Sequence, residues 1–117
     1  MSVDVFGQFC RLLATVVSTS ITDGRAIRDL SLLADGCDPK RITDEIVQCI
    51  HLTVPHSRLP VFYLIDSLVR GHRHQQFRPL LATHVPGAFA STFEAAADDL
   101  RYVIRRFQER RLMKLFV

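Results

Sequence analysis

Several things are scarce or missing in this chain of 117 residues, and each narrows what it can be. No apolar run approaches the roughly 20 residues that a membrane-crossing helix needs. The stretch Val61–Ile65 is closed off by Asp66 and Arg70 on one side and Arg58 on the other. Cysteines number three, Cys10, Cys37 and Cys49, at spacings of 27 and 12. An odd count so spread matches neither a disulfide framework nor a zinc ribbon, and a reducing compartment is the plain reading. The N-terminus carries no basic-then-apolar leader with a small-residue cleavage site, so export is not expected. Five glycines and five prolines, with 48% apolar and 23% charged residues, exclude a disordered chain and suit one domain with one core.

The motifs of common catalysts are missing as well. There is no Gly-rich phosphate loop, His-Glu-x-x-His pair, Cys-x-x-Cys or Gly-x-Ser-x-Gly elbow. His72-x-His74 is the best metal candidate. Two histidines two apart do not share a helix face, however, and neighbouring arginines repel a cation. Cys49 lies close to His51, as a nucleophile would to its base, but it falls on an apolar stripe and reads as a packed thiol. No enzyme, metal or cofactor is expected.

Charge is uneven along the chain. Residues 1–57 hold five Lys/Arg against seven Asp/Glu, a balance of −2; residues 58–117 hold ten against five, a balance of +5. Nine of those ten cations are arginines. The guanidinium fork pairs bidentately with phosphate or carboxylate, so an anionic partner and a solubilised helix surface are the two readings.

Helical periodicity runs throughout, with no sustained strand alternation. Phe6, Phe9, Cys10, Leu13, Val16 and Val17 make the first stripe, ended by Ser18-Thr19-Ser20. Asp23-Gly24 opens a second helix through Ile27, Leu30, Leu33 and Ala34, with Gly36 at the position of a left-handed terminator. Asp38 as N-cap and Pro39 at the first helical position open a third through Ile42, Ile46, Cys49 and Ile50, closed by Val54-Pro55. Ser57 is the expected cap of a fourth, ending near Gly71, and Pro79 and Pro86 open two shorter ones. From Phe89 to Phe107 the apolar spacing fits one helix, or two with a break between residues 95 and 98. The fold expected is all-α, seven or eight helices in a compact superhelix.

The fourth segment, Val61-Phe-Tyr-Leu-Ile-Asp-Ser-Leu-Val69, is apolar on nearly every side, as a central helix is. Asp66 and Ser67 interrupt it, and a carboxylate there needs a partner. Arg70, four residues on, could pair with it. Asp66 could instead cap a neighbouring helix. Alternatively, Tyr63, Asp66, Ser67 and Arg70, at i, i+3, i+4 and i+7, form one polar strip flooring a groove.

The run Arg58-Leu-Pro-Val-Phe-Tyr-Leu-Ile-Asp-Ser-Leu-Val-Arg70 resembles the signature helix of the RNA polymerase II C-terminal-domain-interacting (CID, or RPR) family, approximately Lys-Leu-Pro-x-x-Tyr-Leu-Ile-Asp-Ser-Ile-x-Lys-Asn. The layout is similar too, with Ile27, Leu30, Leu33 and Ala34 closing a second helix before an Ile-rich third. The resemblance implies a right-handed superhelix of about eight helices that binds the polymerase's Tyr-Ser-Pro-Thr-Ser-Pro-Ser repeats, usually serine-phosphorylated, as an extended segment plus a β-turn. It implies that Asp66 accepts hydrogen bonds from that turn, and that Tyr63 and Ile65 shape the groove with Arg25 and Arg28. It further implies a nuclear, monomeric binding module in transcription termination or mRNA 3′-end processing, and Met1 with a helical pattern reaching Val117 suggests an N-terminal domain of a longer protein.

Two departures bear on phosphate. The closing Lys-Asn is Arg70-Gly71, which keeps the charge and loses an amide. Some members read phosphate with an arginine five residues before a tryptophan on the last long helix. If Phe107 stands for that tryptophan, the matching position is Tyr102, and Arg101 or Arg105 would reach from beside it. Rival readings are a VHS- or ENTH-like trafficking adaptor for acidic peptides or phosphoinositides, and a weak RNA contact along Arg106, Arg110 and Lys114.

Overall fold

The structure, a computed structural model, describes residues 4–19, 23–70 and 75–95 together with Arg101 and Arg105. Six α-helices and one short 3₁₀ turn account for nearly all of these, and no strand occurs among the described residues. They are α1 Val5–Thr19, α2 Gly24–Asp35, α3 Pro39–Leu52, the turn Pro55–Ser57, α4 Leu59–Arg70, α5 Phe77–Ala82 and α6 Val85–Ala95.

Each of the first three helices buries one stripe. In α1 it is Phe9, Leu13 and Val16; in α2 Ile27, Leu30, Ser31 and Ala34; in α3 Ile42, Thr43, Ile46 and Ile50. Helix α4 buries eight residues, Pro60, Val61, Phe62, Leu64, Ile65, Asp66, Leu68 and Val69, and so is central, as its composition predicts. It packs on α1, α2 and α5, while α5 continues to α3 and α6. Phe62 meets Phe89 of α6 with ring centroids 4.6 Å apart and planes tilted by 53°, a favourable aromatic geometry.

The helix ends differ in part from expectation. Asp23 caps α2 as predicted, its carboxylate accepting from the Arg25 N–H at 3.0 Å. Asp38 occupies the cap position of α3 without a side-chain capping bond; its carbonyl accepts from Ile42 instead. Ser57 does not cap α4. It belongs to the 3₁₀ turn, and the carbonyl that receives the first helical N–H groups, those of Val61 and Phe62, is Arg58's. Helix α5 starts at Phe77, two residues ahead of the expected Pro79, and α6 at Val85, one ahead of Pro86. Both prolines still lie in a first turn, where a missing N–H leaves no bond unmade. Gly36 has φ −86°, so the left-handed terminator is not used. A Cβ there would stand 3.3 Å from Val5 Cγ1, tighter than ordinary packing, so Val5 would have to give way by a few tenths of an ångström. Asp4, not foreseen as a cap, accepts from the Gly7 N–H at 2.8 Å and opens α1.

Arginines fasten the ends of the later helices. Arg58 donates through Nε to the Thr53 carbonyl at 2.8 Å and through Nη1 to Thr92 Oγ1 at 3.0 Å, joining the end of α3, the start of α4 and buried Thr92 of α6. Arg78 donates to the Val69 carbonyl at 3.0 Å, holding α5 to the end of α4. Arg101 donates to the carbonyls of Phe93 at 2.9 Å and Glu94 at 2.6 Å, near the last described turn of α6; the expected break between residues 95 and 98 falls largely outside the described residues. Phe62 lies at the centre of this packing. Phe62→Ala is expected to destabilise the domain by about 3–5 kcal/mol in urea denaturation. A loss below about 1 kcal/mol would contradict its placement in the core.

Candidate functional site

The polar strip foreseen on the fourth helix is present on α4. Asp66 is 4% exposed, and its Oδ1 accepts from Arg70 Nε at 2.8 Å, while the arginine side chain is half exposed at the rim. The ion-pair reading of Asp66 is therefore realised, and it is compatible with a groove floor, since the pair belongs to the strip itself. Tyr63 and Ser67 are half-buried one turn before and one residue after Asp66. Ser67 Oγ lies 2.8 Å from Ser31 Oγ of α2, and Ser31 Oγ donates to the Ile27 carbonyl at 3.1 Å. Tyr63, Asp66, Ser67 and Arg70 thus share one face of α4 by helical register, and Ser67 joins that face to α2.

Other candidate residues fall elsewhere. Ile65 is fully buried and does not reach the strip. It lies about 200° round the helix from Tyr63. It lines a cavity of about 180 Å³ between α3, α5 and α6, with Ile46, Ile50, Leu81, His51 and His84. Arg25 and Arg28 are exposed on α2, and by helical register Arg28 sits one turn before Ser31 on the flank nearer the strip. Arg101 is half-buried and holds the carbonyls of Phe93 and Glu94. Arg105 is exposed, its guanidinium 5.2 Å from the Phe93 ring. Because Thr92, one residue away, reaches Arg58, this perch lies towards the N-terminal end of α4. Tyr102, Gly71, His72, His74, Arg106, Phe107, Arg110 and Lys114 lie outside the described residues.

Sequence reading missed Ser31. It is 6% exposed and takes a stripe position between Ile27, Leu30 and Ala34. A polar residue in an apolar stripe is the same anomaly that singled out Asp66 and Ser67, so the signal was there to be read.

Among the described residues no three His, Cys, Asp or Glu side chains converge on a point. All three thiols are free and titrate above the ordinary thiol range, chiefly through burial. Glu45 adds to the shift at Cys10, Arg41 partly offsets it at Cys37, and the contact with Thr53 partly offsets it at Cys49. At neutral pH they are thiols, not thiolates. Each is expected to react with iodoacetamide at pH 7 more slowly than a free thiol such as glutathione, the rate climbing as pH rises towards the raised pKa. Any cysteine reacting faster than glutathione would contradict this.

Helices α1 to α6 also bear on membranes, and none of the described helices is long and apolar enough to cross one. Compared with known proteins, the chain finds no significant match among curated proteins and none among solved structures. Against protein families the CID domain matches over residues 9–115, which takes in α2, α3, α4, α5 and α6 whole and all but the first turn of α1. CID domains are protein-interaction modules for the C-terminal domain of RNA polymerase II, all-α and superhelical, and this chain belongs to that family.

Proposed function

We propose that this domain binds the repeat tail of the largest RNA polymerase II subunit, with serines phosphorylated, on the strip Tyr63, Asp66, Ser67 and Arg70. The single observation that carries the reading is a carboxylate 4% exposed in the middle of the most apolar helix, set in a row with the polar groups on either side of it. A buried acid paired to one arginine is no source of stability in itself, since desolvation offsets most of the attraction. An acceptor held rigid at a seam is useful to a ligand whose turn presents N–H groups. Arg25 and Arg28 are exposed on α2, with Arg28 on the flank nearer the strip by register, and proline-rich repeats already favour extended and turn conformers, which lowers the ordering penalty on binding.

Phosphate recognition falls to Arg105 ahead of Arg101, because Arg105 is exposed while Arg101 holds two carbonyls of α6. A phosphoserine brings about −1.5 to −2 charges and pairs bidentately with a guanidinium. Few anchors imply modest affinity per repeat, raised by multivalency along the tail. The protein acts as a monomer in the nucleus and connects the phosphorylation state of the polymerase to termination or mRNA 3′-end processing.

Fluorescence anisotropy with labelled two-repeat peptides, unmodified and phosphorylated at each serine in turn, tests this. Phosphopeptides are expected to bind, and Asp66→Asn to weaken binding by about 10-fold. Arg105→Ala is expected to remove the preference for one phosphoserine and to flatten the salt dependence that accompanies it. Full affinity in a folded Asp66→Asn protein would rule the strip out as the floor of the groove.

A further inference from the structure

Two hydrogen bonds share one oxygen at the seam between α2 and α4. Ser31 Oγ is 3.1 Å from the Ile27 carbonyl and 2.8 Å from Ser67 Oγ. A carbonyl only accepts, so the first bond exists only with the Ser31 hydrogen pointing at Ile27. A hydroxyl has a single hydrogen. The two bonds therefore coexist only if Ser67 donates to Ser31. Helical serines more often turn their hydrogen back to the carbonyl four residues earlier or leave it free to rotate. With both bonds made it is directed across the seam, into a partner that is 6% exposed.

The consequence falls on the face that Ser67 turns outward. Its hydrogen is committed inward, so what remains for a ligand is lone pairs. Asp66, next to it, is an acceptor whenever it is ionised. The geometry points to Ser31 as a positioning residue that makes the centre of the strip, Asp66 with Ser67, a row of acceptors selective for N–H donors of the bound chain. Arg70 at the rim is left to supply the donor end. This rests on the binding site proposed above and specifies which polarity of peptide group that site accepts. In the repeat, prolines offer no N–H, so only the non-proline positions can satisfy Ser67, and the periodic prolines thereby help to set the register of the tail on the groove.

Amide-to-ester replacement tests it, because an ester removes one N–H while leaving the side chains unchanged. A two-repeat phosphopeptide and its variants, each with one non-proline amide replaced by an ester, are titrated against wild type, Ser67→Ala, Ser31→Ala and Ser31→Thr, with thermal melts to show folding. In wild type, the ester at one position beyond any that Asp66→Asn accounts for is expected to weaken binding about 2- to 10-fold. That penalty disappears in Ser67→Ala. It shrinks in Ser31→Ala, where the Ser67 hydrogen is released to turn towards the ester, and returns in Ser31→Thr, which keeps the hydroxyl. Uniform weakening of every peptide by Ser31→Ala, with the ester penalty unchanged, would show a packing contact alone and overturn the proposal. A wild type that binds the all-amide peptide but pays no such ester penalty would overturn it too and leave the binding site standing. Failure of the all-amide peptide to bind defeats the site and this inference together. Should Ser31→Ala not fold, Ser31→Cys takes its place: its thiol is a weak acceptor for the Ser67 hydroxyl, so the penalty is expected to shrink, and an unchanged penalty would overturn the proposal.

Discussion

Helix α4 is packed by α1, α2 and α5, so almost every side chain on it must be apolar. That constraint governs the rest. Burying eight of its residues organises the core, and the remaining narrow face is the place where polar atoms can stand without an unmet desolvation penalty. Asp66 stands at the edge of that face, shielded yet paired, and its neighbours are fixed by helical spacing and by the serine bridge to α2. Rigidity is then a by-product of burial: the strip cannot move without the central helix moving.

The same packing explains what the arginines do. A surplus of cations in the second half suggested an anionic partner, but most of those the structure describes serve the fold. Arg58, Arg78 and Arg101 hold backbone carbonyls at helix ends, and Arg70 holds a buried carboxylate. A guanidinium can donate in two directions, as Arg58 does to the Thr53 carbonyl and Thr92 Oγ1 and Arg101 to the carbonyls of Phe93 and Glu94. Arg105, resting on the Phe93 ring, is the described cation of that half which remains exposed without a carbonyl or carboxylate assigned to it. Among the described residues, charge alone does not reveal which cations are already engaged.

Much of the architecture was legible in the sequence for a simple reason. Helices that bury one stripe have to repeat it, so Phe9, Leu13 and Val16 or Ile42, Ile46 and Ile50 announce themselves, and a helix buried all round announces itself by having no polar face. The strip was legible as an exception to that pattern. What escaped was whatever depends on partners distant in sequence. Ile65 sits two residues from Tyr63 but on the opposite side of α4, where the cavity beside α3 claims it. Ser31 bonds a residue 36 positions away, and a Cβ on Gly36 would crowd Val5 on another helix. Ser57 looked like a cap until the preceding proline turn moved the start of α4 on to Arg58.

The central claim is that the α2–α4 seam is the face that receives the polymerase tail. Amide chemical-shift mapping of the labelled domain with a phosphorylated two-repeat peptide tests it most directly. The account predicts the largest shifts at Ser31, Tyr63, Asp66, Ser67 and Arg70, with Arg28 and Arg105 at the margins and the cavity around His51 and His84 unmoved. Shifts centred on that cavity, or on the groove between α1 and α3 lined by Cys10, Cys49 and Leu52, with the seam silent, would contradict it.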